Sequence, residues 1–422
     1  MANRKKKKTP PKPRFIHVVT KSFFDQYSLS ARKLLQQFGF DPDLFDQFSK
    51  KQKLKMMMVQ MLPPKVSVKY GHSVPRQYVN YIKLEVHNYL KGYFGDASLK
   101  MTYEEFVTTG LSFISYVTRL NDKQGDIASE FVRNFSTLIA ELEKEDYLIV
   151  SLLEFVQNQL FEISKINIRL YGVMWGFEIE SPKSVAGHLY LTAAAPECVN
   201  FTWHNKVRPA YRLGNGNLNE LTPFWVTVPR NSVVPGSFDE SPLNIYVQNH
   251  ALMRIKERLD TLIPYNRNAA IMFSLLDFKI VKAKTGRILC TFIDAKNQLL
   301  GYLPFTIEGD KLFVLSFIPL SCPTVPEGSR LCKILNITKE DMEFLGMDKL
   351  SFYQNTDFDA IPNLKAALIE AGLWHLTEIE PEETIKDRPL VKSTGVIAKF
   401  FQEIKPESNN EDILSEVAKM YD

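Results

Sequence analysis

One helix-forming stretch gathers the residue types that phosphodiester chemistry uses. It reads His250-Ala-Leu-Met-Arg254-Ile-Lys-Glu257-Arg258, and its helical pattern runs to about residue 263. With His250 at zero and about 100° of turn per residue, Arg254 falls at ~40°, Arg258 at ~80° and Glu257 at ~340°. Ala251, Leu252, Ile255, Leu259 and Leu262 fall between ~100° and ~200°. One face is therefore apolar and packs on a sheet. The opposite ridge presents an imidazole, two guanidinium groups and a carboxylate. Imidazole titrates near neutral pH and serves as acid or base. Arginine forks bridge phosphate oxygens and offset charge in a transition state. The same ridge also reads as a solvated face held by an intrahelical pair, Arg254 with Glu257 three residues on.

A second set lies upstream. Trp203-His-Asn-Lys206-Val-Arg208, followed by Tyr211 and Arg212, interleaves aromatic and basic groups in a loop-like segment. Single-stranded nucleic acid is held by such interleaving, bases on the rings and phosphates on the cations. A strand–loop–strand with ordinary snorkelling cations gives the same pattern. A third basic set is the N-terminal arm, with Lys5, Lys6, Lys7 and Lys8 flanked by Arg4, Lys12 and Arg14. Residues 1–17 read as a disordered arm, because adjacent cations repel and prolines block a helix. Its cations would add salt-sensitive affinity for RNA or a ribosome, or would serve as a solubilising tail.

Composition narrows the field. The chain has 422 residues, 45% hydrophobic and 24% charged, which is a globular balance with room for two or three domains. Its net charge is +4, of which residues 1–14 supply +7, leaving −3 on everything after them. A near-neutral body with a basic tail argues less strongly for nucleic acid than a spread basic face would. No run approaches the ~18–20 apolar residues of a membrane helix, and no apolar h-region follows the charged start. Cys198, Cys290, Cys322 and Cys332 form no CxxC pair and no zinc-like spacing, so a reducing cytoplasm is expected. His188, His204 and Cys198 lack metal-ligand spacing, and no metal or cofactor is expected. No phosphate loop, dinucleotide fingerprint, GxSxG, HExxH or kinase signature occurs.

The elements that must position these groups follow from periodicity. Residues 18–165 read as a helical domain, with Asp41-Pro42 opening a helix and Pro63-Pro64 closing it. Tyr78, Val79, Ile82, Val86, Tyr89, Leu90 and Tyr93 mark a second helix, and Thr102 with Glu105 a capping box before a third. Two more helical stretches are expected near 125–142 and 146–165. Met56-Met57-Met58 reads either as an adaptable groove for a protein partner or as a partly buried helix. From 166 to 380 an α+β domain with a mainly antiparallel sheet is expected. Its centre, 243–320, is a strand, two helices and a four-strand meander at 278–283, 287–293, 298–305 and 311–318. Asn249 is the expected N-cap of the site helix. Short helices are expected near 338–346 and 360–372. Residues 381–422 read as a loosely held tail with one acidic helix near 411–420.

The His250–Arg258 helix, with the second helix and meander behind it, resembles the RelE-like and BrnT-like toxin domains. Those families often open on a His-Ala…Arg…Glu-Arg helix ahead of an antiparallel sheet, and they act as ribonucleases on ribosomes or free RNA. The resemblance covers about 75 residues of the 422. It implies an RNA-directed domain, cleaving or merely binding, with His250 as acid or base, Arg254 and Arg258 on phosphate, and Glu257 orienting an arginine. It also implies basic or hydroxyl groups from the later strands, where Lys279, Lys282, Lys284, Arg287 and Tyr302 stand. The other reading is a non-enzymatic interaction protein whose helical domain binds a partner. The two part on whether the 250/254/258 face is open and positive or covered.

Overall fold

A computed structural model of the chain describes residues 21–58, 60–94, 97–121, 147–181, 184–217, 220–283, 286–381 and 393–403. The Lys5–Lys8 arm, the helix expected at 125–142 and the acidic one at 411–420 lie outside them. The chain is α+β and divides into two compact units.

The first unit takes Met1–Lys69, Pro75–Val156 and Met174–Tyr190. Helix Lys21–Gln37 buries Tyr27, Ala31, Leu34 and Leu35 at three- and four-residue spacing. These meet Phe45, Phe106 and Phe113, all without exposed surface. Asp41 caps by accepting from the Asp43 N–H, but the segment it opens, Pro42–Gln47, is a 3-10 helix. The Thr102–Glu105 capping box is present, with both reciprocal hydrogen bonds. Beyond it the chain passes through a π-helical turn, Phe106–Gly110, into helix Leu111–Asn121. Phe94 stacks on Phe106 at 4.0 Å, and Tyr89 on Tyr103 at 4.9 Å, so these rings pack within the unit. Met56 and Met57 are buried in the same core.

This part of the chain is not purely helical. Pro63 and Pro64 belong to strand β1 (Gln60–Val68), not to the end of a helix. It joins β2 (Leu170–Ser181) and β3 (Ser184–Ala194) in the order β1-β3-β2. Proline costs little there, because β1 is an edge strand and needs one fewer donor. The compact units accordingly divide within β2 and β3, not at residue 166. Gly187 is required where β3 passes Trp175, since a Cβ there would lie 2.2 Å from the indole.

The second unit takes Tyr70–Val74, Gln157–Val173 and Leu191–Asp422. Its strands are β4 (Cys198–Trp203), β5 (Lys206–Arg212), β6 (Gly214–Asn215), β7 (Phe224–Trp225), β8 (Thr227–Pro229) and β9 (Pro242–Gln248). The meander adds β10 (Ile280–Lys282), β11 (Ile288–Ile293), β12 (Leu299–Glu308), β13 (Lys311–Val314) and β14 (Ile318–Pro319). The large sheet runs β10-β11-β12-β13-β9-β5-β4, with β8 on β9 and β14 on β12; β6 and β7 pair apart. Its pairings are antiparallel except β13 with β9, which is parallel. Asn297 and Gly309 turn the meander at positive φ.

Helices Asn249–Arg258 and Pro264–Leu276 cover one face through Ala251, Ile255, Ala270, Ile271 and Leu275. Helices Pro326–Leu335, Lys339–Leu345, Leu350–Asn355 and Pro362–Ala371 complete that core with Leu331, Leu345, Leu364 and Leu368. The site helix stops at Arg258, five residues short of the expected end, and Leu259 leaves helical geometry at ψ 53. Gln248, not Asn249, holds the N-cap position. A helix at Thr394–Glu403 puts Ile397 in the core, so that stretch is packed and not loosely held. Within the first unit, Phe45→Ala should cost about 3–5 kcal/mol, because Tyr27, Phe48 and Phe113 all pack round its ring. Urea unfolding checks it; a change below about 1 kcal/mol would refute the assigned core.

Candidate nucleic-acid interface

The aromatic–basic segment expected as a loop is a tight hairpin. β4 and β5 pair from Cys198↔Tyr211 to Trp203↔Lys206, leaving His204 and Asn205 as the two turn residues. Both take positive φ, 48° and 60°, as a type I′ turn needs. Residues directly opposite share a face, so Lys206 lies beside Trp203 and Arg208 beside Phe201. Trp203 is half-buried, and its ring lies 6.3 Å from Phe201, which stacks at 4.1 Å on Phe313.

β5 runs past the end of β9. Its last pairing with β9 is Ala210↔Gln248, and the site helix begins at the next residue. Arg208 and Lys206 therefore run alongside the first turns of that helix, which packs on β5. This juxtaposition brings Lys206 and Arg208 within electrostatic range of His250, on which Arg254 also acts. His250 is pushed below the ordinary histidine range, first by burial, then by the charges of Arg208 and Arg254, with Glu257 opposing and Lys206 adding. This favours the neutral imidazole over the imidazolium. Neither Lys206 nor Arg208 has a carboxylate partner among the described residues.

The rest of the ridge is committed elsewhere. Arg254 donates to Glu257 at 3.0 Å, with both side chains somewhat under half exposed. Such a pair contributes little stability and leaves the guanidinium able to turn. Arg258 points the other way and pairs with Asp348, their side chains only 17% and 9% exposed. Its expected role on phosphate therefore competes with this carboxylate. Between them opens a cleft of about 170 Å³ lined by Arg254, Arg258, Cys322, Lys339, Glu343 and Asp348. Thus the 250/254 part of the face is the more accessible, while Arg258 is held against Asp348 at the cleft wall.

Arg212 does not join the group. Its guanidinium donates to Asn244 Oδ1 at 2.6 Å and Glu197 at 3.4 Å, and stacks over Trp225 at 5.0 Å. Tyr302 is buried with its hydroxyl donating to Glu327, and Lys279 pairs with Asp277. Tyr302 and Lys279 of the later strands are thus engaged elsewhere, and Lys284 lies outside the described residues. Among the described residues no three His, Cys, Asp or Glu side chains gather as metal ligands. Asp348 was invisible from sequence, since it lies ninety residues beyond Arg258. Comparison with family models, curated proteins and solved structures gives no match to the chain.

Two outcomes follow. Because the folded pKa of His250 is depressed, its contribution to stability is complete above about pH 6.5 and is lost as pH falls further. NMR titration should find His250 below that value, and Arg208→Ala should move it upward; no movement would contradict the electrostatic coupling. Asp348→Ala should cost about 3–5 kcal/mol by leaving Arg258 buried and unpaired, while Arg258→Met with Asp348→Leu should recover most of it. Equal losses in the single and double variants, measured by thermal unfolding, would refute the pairing.

Proposed function

We propose that the second unit binds RNA through the β4–β5 hairpin and the first turns of the site helix. The observation that carries this reading is that Lys206 and Arg208 of the hairpin and Arg254 of the helix all act on His250. These are cations from two segments, gathered where the hairpin cations have no carboxylate to neutralise them. A phosphate backbone relieves that repulsion and releases counterions. Trp203 would stack a base beside the phosphate held by Lys206. Glu257 would steady Arg254, and Lys5–Lys8 would add non-specific affinity.

The order of strand, two helices and meander supports the resemblance to RelE-like domains. Cleavage, however, calls for a base and an acid. His250, held neutral, supplies the base, and Lys206, Arg208 and Arg254 supply no acid that titrates near pH 7. Binding without turnover is therefore the reading favoured here, in a reducing cytoplasm that suits four free cysteines. No helix among the described residues is long and apolar enough to cross a membrane.

Fluorescence anisotropy with a labelled single-stranded RNA tests the proposal. Arg208→Ala with Arg254→Ala should weaken binding and lower the salt slope by about one unit per lost contact. Unchanged binding in that double variant, abolished instead by deleting residues 1–14, would transfer the activity to the arm. His250→Ala should leave binding within a few-fold, and RNA cut by the wild type but not by this variant would overturn the non-cleaving reading.

A further inference from the structure

The first unit contains a cleft of about 440 Å³ that its packing does not explain. Helical units usually close on apolar side chains, but this one is walled by polar groups. Ser30, Thr109 and Ser112 line it, each more than nine-tenths buried. Tyr27 adds a buried phenol, 3.2 Å from the Ser112 hydroxyl. Burying so many hydroxyls has a cost unless each finds a partner.

Most of them do. Ser112 Oγ donates to the Thr109 carbonyl at 2.8 Å, and Ser30 donates to Glu105 at 3.3 Å. The Thr109 hydroxyl does not: no side chain or carbonyl among the described residues accepts from it or donates to it. The residue is buried as a whole, but this hydroxyl is not sealed off: it is open to the space of the cleft.

The backbone there is also irregular. Thr109 sits in the π-helical turn Phe106–Gly110, where the Leu111 N–H reaches back five residues to the Phe106 carbonyl. The extra residue lets Phe106 and Phe113 stay in the core while Thr109 and Ser112 face the cleft. Turns of this kind recur at functional sites. A second irregularity stands at the rim. Lys100 takes φ +51°, sparsely populated for a side chain of its size, and its carbonyl accepts from Lys33 Nζ at 3.2 Å.

Charge at the rim is mixed. Lys33 pairs with Glu105 at 3.2 Å and Lys91 with Glu104 at 2.7 Å, while Lys100 has no carboxylate partner among the described residues. Three ammonium groups and two carboxylates leave one cation in excess. A ligand that satisfies this set carries an anionic group and several hydroxyls. The ammonium groups would take the first, and carboxylates accept from hydroxyls. Phe23 and Met57 give an apolar wall for a short carbon frame. The volume lies in the range of small-molecule sites.

We propose that this cleft binds a small phosphorylated polyol, with the phosphate on Lys100 and Lys33 and the hydroxyls on Thr109 and Glu104. Calorimetric titration of the full chain with ribose 5-phosphate, ribose and inorganic phosphate tests it. The sugar phosphate should bind saturably and at least about tenfold more tightly than either fragment. Lys100→Gln and Thr109→Val should each weaken it by about tenfold or more at unchanged melting temperature, since one side chain is exposed and the other hydroxyl is unpaired. Arg208→Ala with Arg254→Ala should leave it unchanged, which separates this site from the proposed RNA surface. No saturable binding at millimolar concentration would overturn the proposal. So would equal affinity for inorganic phosphate, or binding retained in both cleft variants. Should Thr109→Val lower the melting temperature, the Lys100→Gln result decides alone.

Discussion

The parallel pairing of β9 with β13, from Lys311↔Asn244 to Val314↔Val247, joins the hairpin half of the large sheet to the meander half. It makes β9 an interior strand with neighbours on both edges. Leu243, Ile245 and Val247 enter the main core, while Tyr246 enters a smaller aromatic cluster with Phe201 and Phe313. Such a strand cannot slip by one residue without exchanging the two sets. Everything proposed for the second unit inherits that register. The site helix starts where β9 stops, and β5, paired with β9, decides which of its residues reach beyond that point.

Local signals made much of the architecture legible. The apolar stripe Ala251–Ile255 specified which side of the site helix is buried, and the Thr102–Glu105 box marked a real helix start. The meander followed from alternation and from turn residues such as Asn297 and Gly309. What escaped was long-range pairing. Nothing in Gln60–Val68 announces that its partner strand begins near residue 184, and its two prolines argue for a break. Likewise, no periodicity links Arg258 to Asp348 or sets Arg208 beside His250. The candidate residues could be named individually, but which of them act together depends on pairings across forty to ninety positions.

Arginines four apart on one helix end in opposite circumstances. Arg254 keeps a solvent-exposed partner at 3.0 Å and can exchange it for a stronger anion at little cost. Arg258 is locked against Asp348, where losing either member would strand a charge in the interior. Their positions on the helical wheel differ by only ~40°. Packing from Lys339–Leu345 and the Phe317–Pro323 segment makes the distinction, since both line the cleft beside them. The helix thereby has one end anchored and one end presented.

The hairpin turn sets a limit on how this sequence can change length. His204 and Asn205 both hold positive φ without being glycine, so the two-residue connection is kept at some conformational expense. A single residue inserted into it would rotate one strand by half a pleat. Lys206 and Arg208 would then cross to the face now occupied by Val207 and Pro209, away from Trp203 and Phe201. Insertions and deletions, usually tolerated at exposed loop tips, would here separate cations from rings at the expense of the β5–β9 register. In related sequences, constancy of this loop's length would therefore be a more telling mark of the interface than the identity of any one of its residues.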